Sequence, residues 1–208
     1  MQQFIFIRHG ESLSNAGSSI VLPNADIPLT HKALQQAQDL ASTWETVPSA
    51  IYTSKFIRTQ QTANPLCDKY AITATPLAIL NECDTLGFDL LKTLPPEEKL
   101  PLIQRYWKDG NPHERIGQMG GETYTEFCGR VAEFITESPS LKNRSIIIGH
   151  GMWFAQFLWQ SLKFGNHQPT QESMQQFGNF FLHLPIANLA QFNIVVTNNH
   201  IAICKRFS

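Results

Sequence analysis

Two histidines in this 208-residue chain stand in the same local setting. His9 lies in Arg8-His9-Gly10-Glu11-Ser12, and His150 lies in Gly149-His150-Gly151. Each follows a run of apolar residues, 4–7 in the first case and 146–148 in the second. Guanidinium, imidazole and glycine together suit an anion. The planar fork of Arg8 can grip two oxygens of a phosphate at once. Glycine lacks Cβ, so its backbone approaches a ligand closely and exposes N–H groups to it. Arg58, early in a candidate helix that follows a short strand, is a second guanidinium of this kind, and a helix start aims N–H groups at an anion. One such histidine could merely end its strand. Two of them, each flanked by glycine and one by arginine, point to a shared anion site if their strands are neighbours.

The elements that must position these groups follow from the apolar pattern. Residues 4–7 and 145–148 read as strands buried on both faces, as in a parallel sheet, where ligands bind beyond the carboxyl ends. Residues 50–53 form a short strand ending at Ser54, and 71–75 form a weaker one. Thr30 is the expected N-cap of a helix carrying Leu34, Ala37, Ala41 and Trp44 at helical spacing. Ser54 is the expected cap of the helix containing Arg58, in which Pro65 marks a kink or a break. Thr123 and Glu126 match a capping box ahead of Phe127, Val131, Phe134 and Ile135. A helix follows His150 from Met152 to about Lys163. The last two apolar stretches read as a hairpin turning at Asn198-Asn199, residues that tolerate positive φ. Strands alternating with helices give an α/β protein, read as three layers (α/β/α) with a mostly parallel sheet and an antiparallel edge.

Residues 76–120 differ from the rest. They hold Pro76, Pro95, Pro96, Pro101 and Pro112 without clear strand alternation. This stretch is expected to be a small cap of short helices inserted in a single domain spanning 1–208, with substrate specificity residing there and in 164–180. Tyr106, Trp107 and His113 are candidates for the pocket mouth. Phe177, Phe180 and Phe181 read as packing residues, and His31, His113, His167, His183 and His200 carry no motif.

Composition narrows the function classes. A formal net charge of −1 leaves no electrostatic footprint for nucleic acid or an anionic membrane. No apolar run approaches the roughly 20 residues of a spanning helix, and no signal peptide is expected. The four cysteines form no C-x-x-C pair, and the seven histidines include no H-x-x-H or H-E-x-x-H pair. Neither a disulfide framework nor a zinc site is expected, which points to a reducing, cytoplasmic setting.

Taken in order, these stretches carry a resemblance. RHGES at 8–12 with Asn15, PLT…QA at 28–37, TSKFIRTQQTA at 53–63, LNE at 80–82, GGET at 120–123 and IIIGHG at 146–151 resemble the histidine phosphatase superfamily, with its phosphoglycerate-mutase-like fold. The resemblance implies that His9 is a nucleophile that becomes transiently phosphorylated. Arg8, Arg58 and His150 would complete the phosphate pocket, with Asn15 as a further donor. Glu82 would protonate the leaving group and then serve as base toward water, and no metal or cofactor is implied. The implied function is hydrolysis of a small phosphate monoester.

Splitting the reaction through a phosphohistidine replaces one difficult displacement with two easier ones. His9 must then be unprotonated on its attacking nitrogen, with a hydrogen bond at the other nitrogen fixing that tautomer. His150 is expected to donate to a phosphoryl oxygen rather than attack. Asp84 and Glu122 stay open as alternative acids. Two other functions compete with hydrolysis. Family mutases follow the nucleophile motif with Trp-Asn and carry Arg and Tyr after the acid, whereas this chain has Leu13-Ser14-Asn15 and Glu82-Cys83-Asp84-Thr85. A non-catalytic phospho-ligand-binding module would be favoured by loss of Arg8, His9, Arg58 or His150, and all four are present.

Overall fold

The computed structural model describes every residue of the chain except 19–20, 166–167, 198–199 and 207–208. Its strands are β1 (Gln2–Arg8), β2 (Ile51–Thr53), β3 (Thr75–Pro76), β4 (Ser145–Gly149), β5 (Gln191–Val196) and β6 (Ile201–Arg206). They form one sheet in the order β3-β2-β4-β1-β5-β6. The β1–β4, β4–β2 and β2–β3 pairings are parallel, and β5 and β6 close the far side as an antiparallel edge. The helices are α1 (His31–Thr43), α2 (Ile57–Tyr70), α3 (Phe88–Thr93), α4 (Pro96–Asp109), α5 (Tyr124–Glu137), α6 (Gly151–Ser161) and α7 (Gln171–Leu182).

The period of two in the central strands sorts their side chains between two cores. Phe4, Phe6 and Ile147 join the larger one, with α5, α6 and α7. Ile7, Ile146 and Ile148 join the smaller one, with α1 and α2. The sheet is therefore the middle of three layers. Local signals place the helix starts: Thr30 Oγ1 accepts the Ala33 N–H at 3.1 Å, and Thr123 with Glu126 forms the reciprocal capping box.

Two local expectations change, and a third is narrowed. The third strand is Thr75–Pro76 rather than 71–75. Ala71 ends α2 in the left-handed region at φ 52°, and the Ile72 N–H returns to the Cys67 carbonyl, so 71–72 serve the helix end. Pro65 lies inside α2, which runs unbroken through it. Ser54 does not cap α2: the N-cap is Phe56, with no side-chain cap. The span 76–120 contains α3 and α4, and α4 packs on α7. The expected turn at Asn198-Asn199 and the reading of His167 lie outside the described residues.

Candidate active site

The register of β1 on β4 builds the site. Ile7 pairs with Ile148 and Arg8 with Gly149, so His9 and His150 are the first residues beyond two adjacent strands. The His9 N–H donates to the Gly149 carbonyl at 2.9 Å. The two imidazoles meet edge to face with centroids 5.1 Å apart. Both are buried, His9 at 3% exposure and His150 at 0%. The adjacency that the paired motifs require is present.

His9 is held in one tautomer. Its Nδ1 lies 2.6 Å from the Gly10 carbonyl, which can only accept, so Nδ1 carries the proton. Nε2 is then a lone pair, and Arg58 Nε–H donates to it at 3.3 Å. Burial, then the Arg58 and Arg8 charges, push the His9 pKa down to about 3 despite the Gly10 hydrogen bond. The ring is neutral at physiological pH, with a directed nitrogen facing a guanidinium.

Arg58 is itself buried and fixed by Asn24: Nη1 donates to the Asn24 carbonyl at 2.6 Å and Nη2 to Asn24 Oδ1 at 3.2 Å. Its guanidinium lies over the Phe56 ring at 4.7 Å. Burial brings its pKa down to about 10, against the pull of Glu82 and Asp84, which still leaves it cationic near neutrality. Arg8 Nη1 donates to the Ile186 carbonyl, while its buried Nε has no protein partner.

His150 shows why Ser54 sits where it does. Its Nε2 is 2.7 Å from Ser54 Oγ. Ser54 Oγ also receives the Phe56 N–H at 3.0 Å and meets Thr59 Oγ1 at 2.9 Å. Thr59 Oγ1 in turn reaches the Phe56 carbonyl at 2.8 Å, so a chain of hydroxyls runs from the start of α2 to His150. The other ring nitrogen, Nδ1, is buried without a protein partner. Burial, Arg58 and His9 hold the His150 pKa well below the usual histidine range, so the ring is neutral rather than cationic.

The three candidate acids have different surroundings. Glu82 accepts N–H groups from Cys83 at 3.0 Å, Met152 at 3.1 Å and Trp153 at 2.9 Å, which seats it at the start of α6, next to His150. Its charge also acts on Arg8 and Arg58. Asp84 accepts from Asn24 Nδ2 at 3.2 Å, and burial raises its pKa. Glu122 is gripped by Arg130 through two hydrogen bonds, at 2.7 and 2.6 Å, and Arg130 also holds the Ile79 and Asn81 carbonyls. Glu122 is thus part of a brace for the Glu82 loop.

Asn15 turns its Oδ1 inward to accept the Ser12 N–H and Asn188 Nδ2, both at 3.3 Å. Asn188 Nδ2 also donates to the His9 carbonyl at 3.0 Å. Asn24, Asn188 and the Ser54 link to His150 had no sequence signal of their own, being isolated polar residues whose partners are distant in the chain. Of the expected pocket-mouth residues, Tyr106 is buried, its hydroxyl accepting the Tyr124 N–H. Trp107 packs against Tyr124 and Phe177, and exposed His113 bonds Thr125 Oγ1 at 2.9 Å. These three belong to the packing around α4 and α5, not to the histidine pair. Phe177 is core, with Phe180 and Phe181 packed beside it.

Two cavities converge on Asp84. One, of about 470 Å³, is lined by Phe56, Glu82 and Arg130 among others. The second, of about 570 Å³, includes Asn24, Lys99 and residues of α3 and α4. Among the described residues, no three His, Cys, Asp or Glu side chains converge as metal ligands. Nor is any helix among them long and apolar enough to cross a membrane.

Comparison with solved structures gives the same fold. The α-ribazole phosphatase of Shigella flexneri superposes with a TM-score of 0.71 at 21% identity, covering 98% of this chain and 95% of that one. The phosphoserine phosphatase of Entamoeba histolytica, solved with 3-phosphoglyceric acid, gives 0.67 at 18% identity, covering 100% and 98%. A mycobacterial glucosyl-3-phosphoglycerate phosphatase solved with inorganic phosphate gives 0.66 at 18%, covering 100% and 96%. By sequence, no curated protein matches the chain significantly. The profile of the histidine phosphatase superfamily (branch 1) matches residues 4–184. With that match over most of its length, the chain belongs to the histidine phosphatase superfamily.

Proposed function

We propose that the protein is a phosphate monoester hydrolase working through a phosphohistidine on His9. The observation that carries this reading is the single directed lone pair: Nδ1 is tied to Gly10, and Nε2 faces Arg58 from a ring kept neutral. A neutral imidazole can approach an anionic phosphoryl group without charge repulsion.

In the first step the substrate phosphoryl group enters between Arg8, Arg58 and the two histidines. Arg58 Nε–H moves from His9 Nε2 to a phosphoryl oxygen, freeing the nucleophile. The Nε2–P bond forms as the P–O bond to the alcohol breaks, and Glu82 protonates the departing oxygen. Arg8 Nε–H and, in its Nδ1–H tautomer, His150, both unpartnered at these nitrogens, donate to the equatorial oxygens where charge shifts. In the second step Glu82, now a carboxylate, takes a proton from water as its oxygen attacks phosphorus, and the P–N bond breaks. Asn15 lends its remaining amide N–H groups at the rim. Every charge that needs balancing is met by these side chains, so the reaction is assigned no metal and no cofactor.

Within this reading the span 76–120 acts as a cap over a small-molecule site, since two of its helices border the larger cavity. A cytoplasmic setting fits four free cysteines and is part of the proposal. The test is hydrolysis of p-nitrophenyl phosphate with EDTA present. Turnover that EDTA leaves intact and His9→Ala abolishes supports the proposal. Turnover lost to EDTA, or surviving in His9→Ala, overturns it.

A further inference from the structure

The cavity of about 570 Å³ adjoins the phosphate cradle through one wall. Asn24 lines it while holding Arg58, and Asp84 lines it while held by Asn24. The rest of the lining is mixed: Leu22, Ile27, Leu86, Leu91 and Ile103 supply apolar surface, and Ser14, Ser18 and Thr85 supply hydroxyls. Its volume suits a ring-sized group and exceeds what a triose needs.

One cation interrupts this lining. Lys99 stands one turn before Ile103 on α4, so the two share a helix face over the cavity. Lys99 is half-buried. Among the described residues its ammonium has no hydrogen-bond or ion-pair partner. The other charged group in the lining, Asp84, is already occupied by the Asn24 amide. The arginines of the neighbouring cavity of about 470 Å³ are likewise closed, Arg115 on Glu126 and Arg130 on Glu122. Lys99 is therefore the free charge of a cavity that reaches the cradle through Asn24 and Asp84.

We propose that this cavity is the subsite for the alcohol part of the substrate, and that Lys99 selects monoesters whose apolar or aromatic body ends in a carboxylate. The inference rests on the phosphatase reading for the placement of the phosphoryl group. The carboxylate takes a charge-assisted hydrogen bond from Lys99 Nζ, and the apolar walls hold the spacer. A carboxylate directly on the carbon next to the ester would fall beside Asp84 instead, where like charge rejects it.

The test uses two phosphonates that cannot be hydrolysed, benzylphosphonate and (4-carboxybenzyl)phosphonate, titrated calorimetrically into the full-length protein. In the wild type the carboxylated ligand binds about tenfold more tightly. Lys99→Met brings the two affinities together, and Lys99→Arg restores the preference. Equal affinities in the wild type, a preference that survives Lys99→Met, or binding of neither phosphonate each overturn the subsite. Hydrolysis of phenyl phosphate by the same preparation reports on the phosphatase reading separately, so a failed subsite and a failed activity are told apart.

Discussion

His9 is held neutral by the fold, and that has a measurable cost in acid. Its pKa is about 3 in the folded protein, against about 6.5 in an unfolded chain. Between those values the unfolded chain binds a proton that the folded one refuses, so stability rises with pH across the window and falls as pH drops from about 6.5 toward about 3. One unit is worth about 1.4 kcal/mol, so lowering the pH from about 7 to about 5 removes about 2 kcal/mol through His9 alone. The perturbation is His9→Asn, whose amide can still donate to the Gly10 carbonyl but cannot titrate. Urea unfolding of both proteins at the two pH values is the assay. The carboxylates and His150 are common to both, so their contributions cancel in the comparison. The variant should lose about 2 kcal/mol less than the wild type over this interval. Equal losses would refute the claim that the site keeps His9 unprotonated.

Other expectations follow from single contacts. Ser54→Ala removes the partner of His150 Nε2 and should lower kcat/KM by roughly 10- to 100-fold, with Ser54→Thr recovering much of it and the nitrogen shifts of His150 reporting the lost hydrogen bond. Glu82→Gln should lower kcat/KM, which reports the phosphoryl transfer to His9, by about 10²- to 10⁴-fold for alkyl phosphates and far less for p-nitrophenyl phosphate, because p-nitrophenolate leaves without a proton, while kcat falls for both through the water step. Similar losses of kcat/KM on both esters would assign Glu82 another role. Gly149→Ala would set a Cβ 2.7 Å from Phe6 Cε2, costing about 1–3 kcal/mol in urea unfolding. Gly151→Ala would set one 3.2 Å from Arg8 Nε, and a raised KM with kcat less affected is the expected kinetic signature.

The parts legible in the sequence share one property: their signal is local. Continuous apolar runs at 4–7 and 146–148 announced two central strands, and the glycine-flanked histidines marked where those strands end. Thr30 and Thr123 announced helix starts because a cap and its target lie three residues apart. What escaped was set by distant partners. Asn24 matters because Arg58, 34 residues away, comes to rest on it. Ser54 looked like a helix cap because its other partner, His150, is 96 residues distant. Helix α7 went unread because its capping box closes with Ser173 in place of Glu or Gln, and its buried Met174 and Phe177 blend into an aromatic tract. The weak third strand moved because residue 71 was needed to end α2 in the left-handed region.

The central claim is that the phosphoryl group passes through His9, and trapping it there tests that most directly. Enzyme mixed with substrate would be quenched in alkali within one turnover, digested, and its phosphorylated peptide located by mass spectrometry. The account predicts one phosphoryl group on the peptide carrying His9, stable in alkali, lost in acid, and absent from His9→Asn. A phosphoryl group on His150 or any other residue, or turnover by an enzyme that never carries one, would contradict it.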